Sequence, residues 1–286
     1  MTTGRAMTLY QEVYPEKQLH DPAIQKRFLE RLRRLIPTCV DVTIVTDAGF
    51  LCDWFSAVEQ MGWKWIKRLR HNKLFFQEKG SLSWVRVSDL QKKATNKAVF
   101  YAEVMLSKKK QKEANIYLYQ GLPKGRKSLT KCKKERQDTK AMVHRKSAKE
   151  AFIIASNIKH EKNMATKIIR LYQTRMQIEE AFRDMKDPYT GLGFNYCRTK
   201  EQKRLEVLLL IGTIALLFLW LIGWAAEKKG LQREFQANTI RKHRVLSLTF
   251  LGRQIILHKI REILWEDLIN ALLDLQSINW LNHGLL

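Results

Sequence analysis

Tyr172, Arg175, Glu179 and Lys186 are the residues whose types and spacing promise chemistry. On one helix over 165–186, stepping 100° per residue from Tyr172, Arg175 falls at about 300°, Glu179 at about 340° and Lys186 at about 320°. A phenol, two cations and a carboxylate would then share an arc of roughly 60°. Leu171, Ile178, Phe182 and Met185 fall beside it, as an apolar stripe expected to pack on a sheet. Two readings are open. An intrahelical ion-pair array would contribute a few tenths of a kcal/mol per pair. A carboxylate that binds a divalent metal, flanked by cations that hold a phosphate backbone, is what two-metal phosphodiester chemistry needs.

Asp47 favours the second reading. Cys39 to Thr46 (CVDVTIVT) is β-branched and almost continuously apolar, the pattern of a central strand covered on both faces, and it stops at Asp47-Ala48-Gly49. Ligands of open α/β sheets gather at the carboxyl ends of strands, so Asp47 is a candidate metal ligand. Its ordinary alternative is to cap a helix starting near Leu51. Asp47 and Glu179 together would make an oxygen-only site suited to Mg²⁺ or Mn²⁺. The seven histidines show no zinc spacing. Cys39, Cys52, Cys132 and Cys197 form no CxxC pair and read as buried or incidental thiols of a reducing compartment.

The elements that must position these residues follow from periodicity. Ala6–Tyr14 alternates like a strand, and Asp21-Pro22 opens a helix over 23–36. Residues 51–62 have helical spacing and Trp63–Leu69 alternates again, which is α/β order. From about 74 to 148, alternating runs (Leu82–Val87, Ala98–Leu106, Ile116–Gln120) separated by basic turns predict a β-rich insertion. Ala151–Ile158 returns to strand character, and the rest is mainly helical, with shorter helices near 245–260 and 265–276. The expected parts are 1–73 and 149–200 as two pieces of a core, 74–148 as a basic insertion, and 201–286 as a helical region.

A formal charge of +24 in 286 residues exceeds what solubility requires and points to a polyanionic partner, nucleic acid before anionic membrane. About half of that net charge lies between Lys108 and Lys149, where Lys131, Lys133 and Lys134 are candidate phosphate contacts. Phosphate contact of this kind gives affinity without sequence choice. No apolar run follows Met1-Thr2-Thr3-Gly4-Arg5, so a cytoplasmic protein is expected. Val207–Ala226 carries no charge over about twenty residues, enough to span a bilayer, with basic residues at both ends. The competing reading, a helix buried inside a large domain, is preferred, so no membrane partner is expected.

Val45-Thr46-Asp47-Ala48-Gly49-Phe50, with Tyr172-x2-Arg175-x3-Glu179-x6-Lys186, resembles the DDE transposases of the bacterial insertion-sequence-4 type, cut-and-paste enzymes. Supporting matches are Ser147-Ala-Lys-Glu150, Arg175-Met-Gln-Ile-Glu-Glu180, Gly191-Leu-Gly193 and Phe235-Gln-Ala-Asn-Thr239. The resemblance implies an α/β, RNase H-like catalytic core with a β-rich insertion and a helical C-terminal region. It implies Asp47 and Glu179 as second and third catalytic acids and metal ligands, with Tyr172, Arg175 and Lys186 on phosphates. Phe152 stands where relatives usually carry a base-stacking Trp, and it could stack with less area. The implied partners are double-stranded DNA, namely terminal inverted repeats and target, and a second copy in a synaptic homodimer near the bacterial nucleoid.

Relatives place a helical end-recognition domain and a strand with the first catalytic Asp ahead of the segment resembling Gly4–Tyr10. The expectation is therefore a truncated or split transposase, impaired in cleavage, with weakened Mg²⁺ binding and an exposed strand edge. The alternatives are a non-catalytic DNA-binding or inhibitory fragment and an unrelated metal-dependent nuclease. The latter leaves the signature spacing unexplained.

Overall fold

The computed structural model describes residues 5–70, 74–121, 135, 138, 139, 142, 150–237, 239, 244–260 and 262–277. They form two compact units: His20–Gln173, built on a sheet, and Met1–Leu19 with Thr174–Leu286, built from helices.

The sheet unit opens with α1 (Pro22–Leu35), where the Asp21 carboxylate accepts the Ala23 amide at 2.8 Å and Pro22 occupies the first turn. Then come β1 (Thr43–Thr46), α2 (Cys52–Gln60), β2 (Lys64–Arg68), β3 (Phe75–Glu78), β4 (Trp84–Arg86), β5 (Val99–Leu106), β6 (Lys112–Tyr119), β7 (Phe152–Ser156) and α3 (Met164–Thr174). The seven strands make one mixed sheet in the order β1-β2-β7-β6-β5-β3-β4. β1 and β2 are parallel, and every other pairing is antiparallel. The strands expected as an insertion continue this sheet, because β6 pairs with β7 from Asn115↔Ser156 to Tyr119↔Phe152.

Side chains alternate between the two faces. Trp65, Ile116 and Ile153 join Leu29, Trp54, Phe55 and Val58 in a core under α1 and α2. Their neighbours Ile66, Tyr117 and Ile154 join Ile168, Ile169 and Tyr172 under α3.

Two strand expectations are corrected. Residues 39–46 shorten to Thr43–Thr46, and β1 stands at the end of the sheet order, not in its centre. An apolar run reports that both faces are covered and carries no information on whether both edges are paired. Ala6–Tyr14 forms no strand. An alternating run becomes a strand only where a sheet edge receives it. Here the Ala6 amide donates to the Gln177 carbonyl at 3.3 Å, and Gln202 donates to the Val13 carbonyl at 2.7 Å.

The helical unit contains α4 (Met176–Lys186), α5 (Gln202–Lys228), α6 (Leu248–Leu257) and α7 (Trp265–Ser277). α5 and α6 cross backbone to backbone at two glycines. A Cβ on Gly223 would stand 2.0 Å from the Leu248 carbonyl oxygen, and one on Gly252 would stand 1.9 Å from that of Leu219. Trp220, Leu221, Leu248 and Ala271 fill the space beside this crossing. α5 departs from the expected buried helix, since only 17% of its most apolar stretch is buried. Val207, Leu210, Ile211, Ile214, Leu217 and Phe218 form an exposed stripe at spacings of three and four. By length and composition alone α5 could cross a membrane. Its glycine-lined C-terminal half instead packs within the unit. Cys39, Cys52 and Cys197 are free thiols, with Cys39 and Cys197 exposed; Cys132 lies outside the described residues.

Candidate active site

β1 delivers Asp47 at its carboxyl end, exposed, in a tight turn leading to α2. The Asp47 Oδ1 accepts the Gly49 amide at 2.9 Å, and a Cβ on Gly49 would approach that oxygen to 3.2 Å. Asp47 does not cap α2, which starts after Leu51 without a side-chain cap. Its carboxylate is thus oriented by its own turn, and its exposure leaves it accessible to solvent.

Beneath the turn lies Lys67 of β2, in register with Thr46. Its side chain is 7% exposed, its ammonium donates to the Phe50 carbonyl, and it lies 4.9 Å from the centroid of the Phe55 ring. Burial holds this ammonium below the ordinary lysine range, opposed by the nearby Cys52 and Asp47. Burial likewise pushes the Cys52 thiol up, against the pull of the nearby Lys67.

Phe152 opens β7 on the other face. Its ring meets Tyr172 edge-on at 5.6 Å and Tyr119 at 6.1 Å, and the Arg68 guanidinium lies 4.9 Å above it. Glu150, two residues earlier, pairs with Arg68 at 3.5 Å and Arg70 at 2.8 Å. Tyr172 is 4% exposed, so its ring belongs to the core and supports Phe152 from behind. Arg68, in the WKWIKRL run that counted only as a strand, and Arg70, just beyond that run, were not anticipated from the sequence. Their signal was the period of two: Arg68 follows Ile66 on the α3 face, where another apolar residue would be expected.

The single helix expected over 165–186 is two helices, α3 and α4, interrupted at Arg175. Tyr172 therefore belongs to the sheet unit, and Arg175, Glu179 and Lys186 belong to the helical unit. Within the latter, the Arg175 guanidinium donates to Glu179 Oε1 at 2.6 Å, and Lys186 lies 5.6 Å from the Phe182 ring centroid. The expected apolar stripe is also corrected. Met185 is buried, but Ile178 and Phe182 are exposed, and the helix instead buries Asp184. Arg5 holds Asp184 through two donors, at 2.6 and 3.3 Å, and the Thr249 hydroxyl donates to it at 2.6 Å. Gly191 is fixed by the same residue, since a Cβ there would overlap the Asp184 carbonyl oxygen at 1.8 Å.

Lys131, Lys133 and Lys134 lie outside the described residues, as do 147–149 of the supporting Ser147–Glu150 match and position 238 of Phe235–Thr239. Among the described residues no three His, Cys, Asp or Glu side chains cluster as a metal cage. Mg²⁺ does not need one. It keeps several waters and takes one or two carboxylates together with substrate phosphates, and an exposed, pre-oriented Asp47 fits that demand.

A family model for the transposase DDE domain matches residues 3–218. The chain belongs to the transposase DDE domain family. Transposases of this family generally use divalent metal ions and act on DNA, and the mixed seven-stranded sheet with its helices is consistent with their RNase H-like core and a helical C-terminal region. A comparison with curated proteins gave no match.

Proposed function

We propose that this DDE transposase chain binds transposon-end and target DNA for cut-and-paste transposition of the insertion-sequence-4 type, as a homodimer in the bacterial cytoplasm. The observation that carries the reading is Asp47, an exposed carboxylate held in a glycine turn at the carboxyl end of a parallel strand. Asp47 of the sheet unit and Glu179 of the helical unit are each assigned as metal ligands, and Mg²⁺ or Mn²⁺ would supply charge stabilisation at phosphorus and an acidified water. Arg175 holds Glu179 in place, and Arg175 and Lys186 offer charge to phosphates. Tyr172 backs Phe152, whose ring offers a stacking face for an unpaired base, with Arg68 beside it for the adjoining phosphate.

The resemblance implies three catalytic acids, of which Asp47 and Glu179 are matched in this sequence, and DNA binding with poor cleavage is the outcome the test addresses. A second reading, a DNA-binding transposase fragment that interferes with a complete enzyme, draws on the formal charge of +24, which binds phosphates without any metal. The test is a duplex carrying the ends of the encoding element, incubated with Mg²⁺ or Mn²⁺. Salt-dependent binding without turnover is the expected result. Efficient strand cleavage by the chain alone would overturn the impairment, and failure to bind at low salt would overturn both readings.

A further inference from the structure

We infer that Lys67 is a positioning residue whose ammonium, clamped on the Phe50 carbonyl, fixes the Asp47–Phe50 turn and so aims the Asp47 carboxylate. This rests on the reading of Asp47 as a metal ligand. Lys67 breaks the pattern of its own strand. On β2 and just beyond it, Trp65 and Leu69 point into the core under α1 and α2, and Lys67 occupies the row between them. Such a row calls for an apolar residue, and local violations of a fold's pattern collect at functional positions.

The placement is also unfavourable for stability taken alone. The ammonium is buried, and the carbonyl it holds lies two residues before the start of α2, where a helix's positive end disfavours a cation. What the arrangement achieves is control of the turn. The Phe50 ring packs on Trp54 at 4.8 Å, while its carbonyl is held by Lys67. At the other end Thr46 is in ladder register with Lys67 itself. The four residues Asp47–Phe50 that follow the strand are thereby fixed from one side chain. Gly49, the donor that orients Asp47 Oδ1, lies inside that span.

The test compares the full chain with Lys67→Met, which keeps length and removes the charge and donors. Mn²⁺ binding is followed by paramagnetic broadening of the Ala48 and Gly49 amide signals, alongside hydrogen exchange at Gly49. Lys67→Met is expected to weaken Mn²⁺ binding about ten-fold or more, as loss of outer-shell partners does. It should also speed Gly49 exchange and leave DNA affinity at low salt unchanged. Unchanged broadening and exchange would overturn the proposal, as would equal losses in Mn²⁺ binding, DNA binding and melting temperature. Lys67→Gln, which retains a donor, is the second variant if Lys67→Met does not fold, and its Gly49 exchange should be intermediate. If neither variant folds, Lys67 is structural and the proposal fails. Asp47→Asn separates the two ideas. If it leaves Mn²⁺ broadening intact, the metal reading fails, while Gly49 exchange still decides whether Lys67 governs the turn.

Discussion

Single side chains in the two cores differ in how well their polar atoms are satisfied. The Tyr117 ring is fully buried under α3, its hydroxyl has no hydrogen-bond partner among the described residues, and burial pushes its pKa up to about 12 from 10.0. Tyr117→Phe is expected to raise stability by about 1 kcal/mol in urea titrations, because a buried unmade hydrogen bond is removed. The folded value lies above the unfolded one, so titration of this hydroxyl leaves stability unchanged below about pH 10 and lowers it as the pH rises towards 12. The fall in stability over that window should shrink in the Phe variant. Asp184 is the opposite case, 8% exposed and held by Arg5 and Thr249. Asp184→Ala removes the nearest carboxylate from the Arg5 guanidinium, which keeps Glu180 at 3.6 Å, and is expected to destabilise by about 2 kcal/mol. No pattern of hydrophobicity marked Asp184, because its value depends on partners 65 and 179 residues away.

Elements were readable where one periodicity governs them. Asp21-Pro22 set the start of α1, and the strands β2, β5, β6 and β7 fall inside or close to their alternating runs. What periodicity cannot encode is the edge. β1 looked central because both its faces are covered, and Ala6–Tyr14 looked like a strand although no sheet edge receives it. It also missed the interruption at Arg175, since a helix that ends and restarts keeps its hydrophobic spacing on each side. Where α5 and α6 cross, the glycines decide the packing. Gly252→Ala would drive a methyl group into the Leu219 carbonyl and is expected to lower stability by at least about 1–3 kcal/mol, read from thermal unfolding. On the opposite side, Leu210→Gln with Ile214→Gln removes half-exposed apolar surface. The pair is expected to raise the solubility limit while changing stability by no more than about 0.5 kcal/mol per site.

For the whole molecule, charge dominates what can be measured first. A net +24 predicts that the logarithm of DNA affinity falls linearly with the logarithm of salt concentration, with a slope of about −0.9 per phosphate neutralised. Filter binding on an unrelated duplex should give the same steep slope as on element ends, since phosphate contacts carry no sequence information. Equal affinity at low and high salt would remove the nucleic-acid reading of the charge.

The sheet order also bears on how the chain comes off the ribosome. β7 stands between β2 and β6, so the two halves of the sheet are joined only by a strand synthesised after both. Until residues 152–156 emerge, β1–β2 and the β3–β6 group are separate pieces with open inner edges. Such edges pair with other nascent chains as readily as with β7. A translation pause before β7 has cleared the ribosome would prolong that exposure, whereas a pause after it has emerged would not. Codon choice downstream of Ser156, where β7 is still emerging, is therefore a lever on yield that no substitution of the folded protein would reveal.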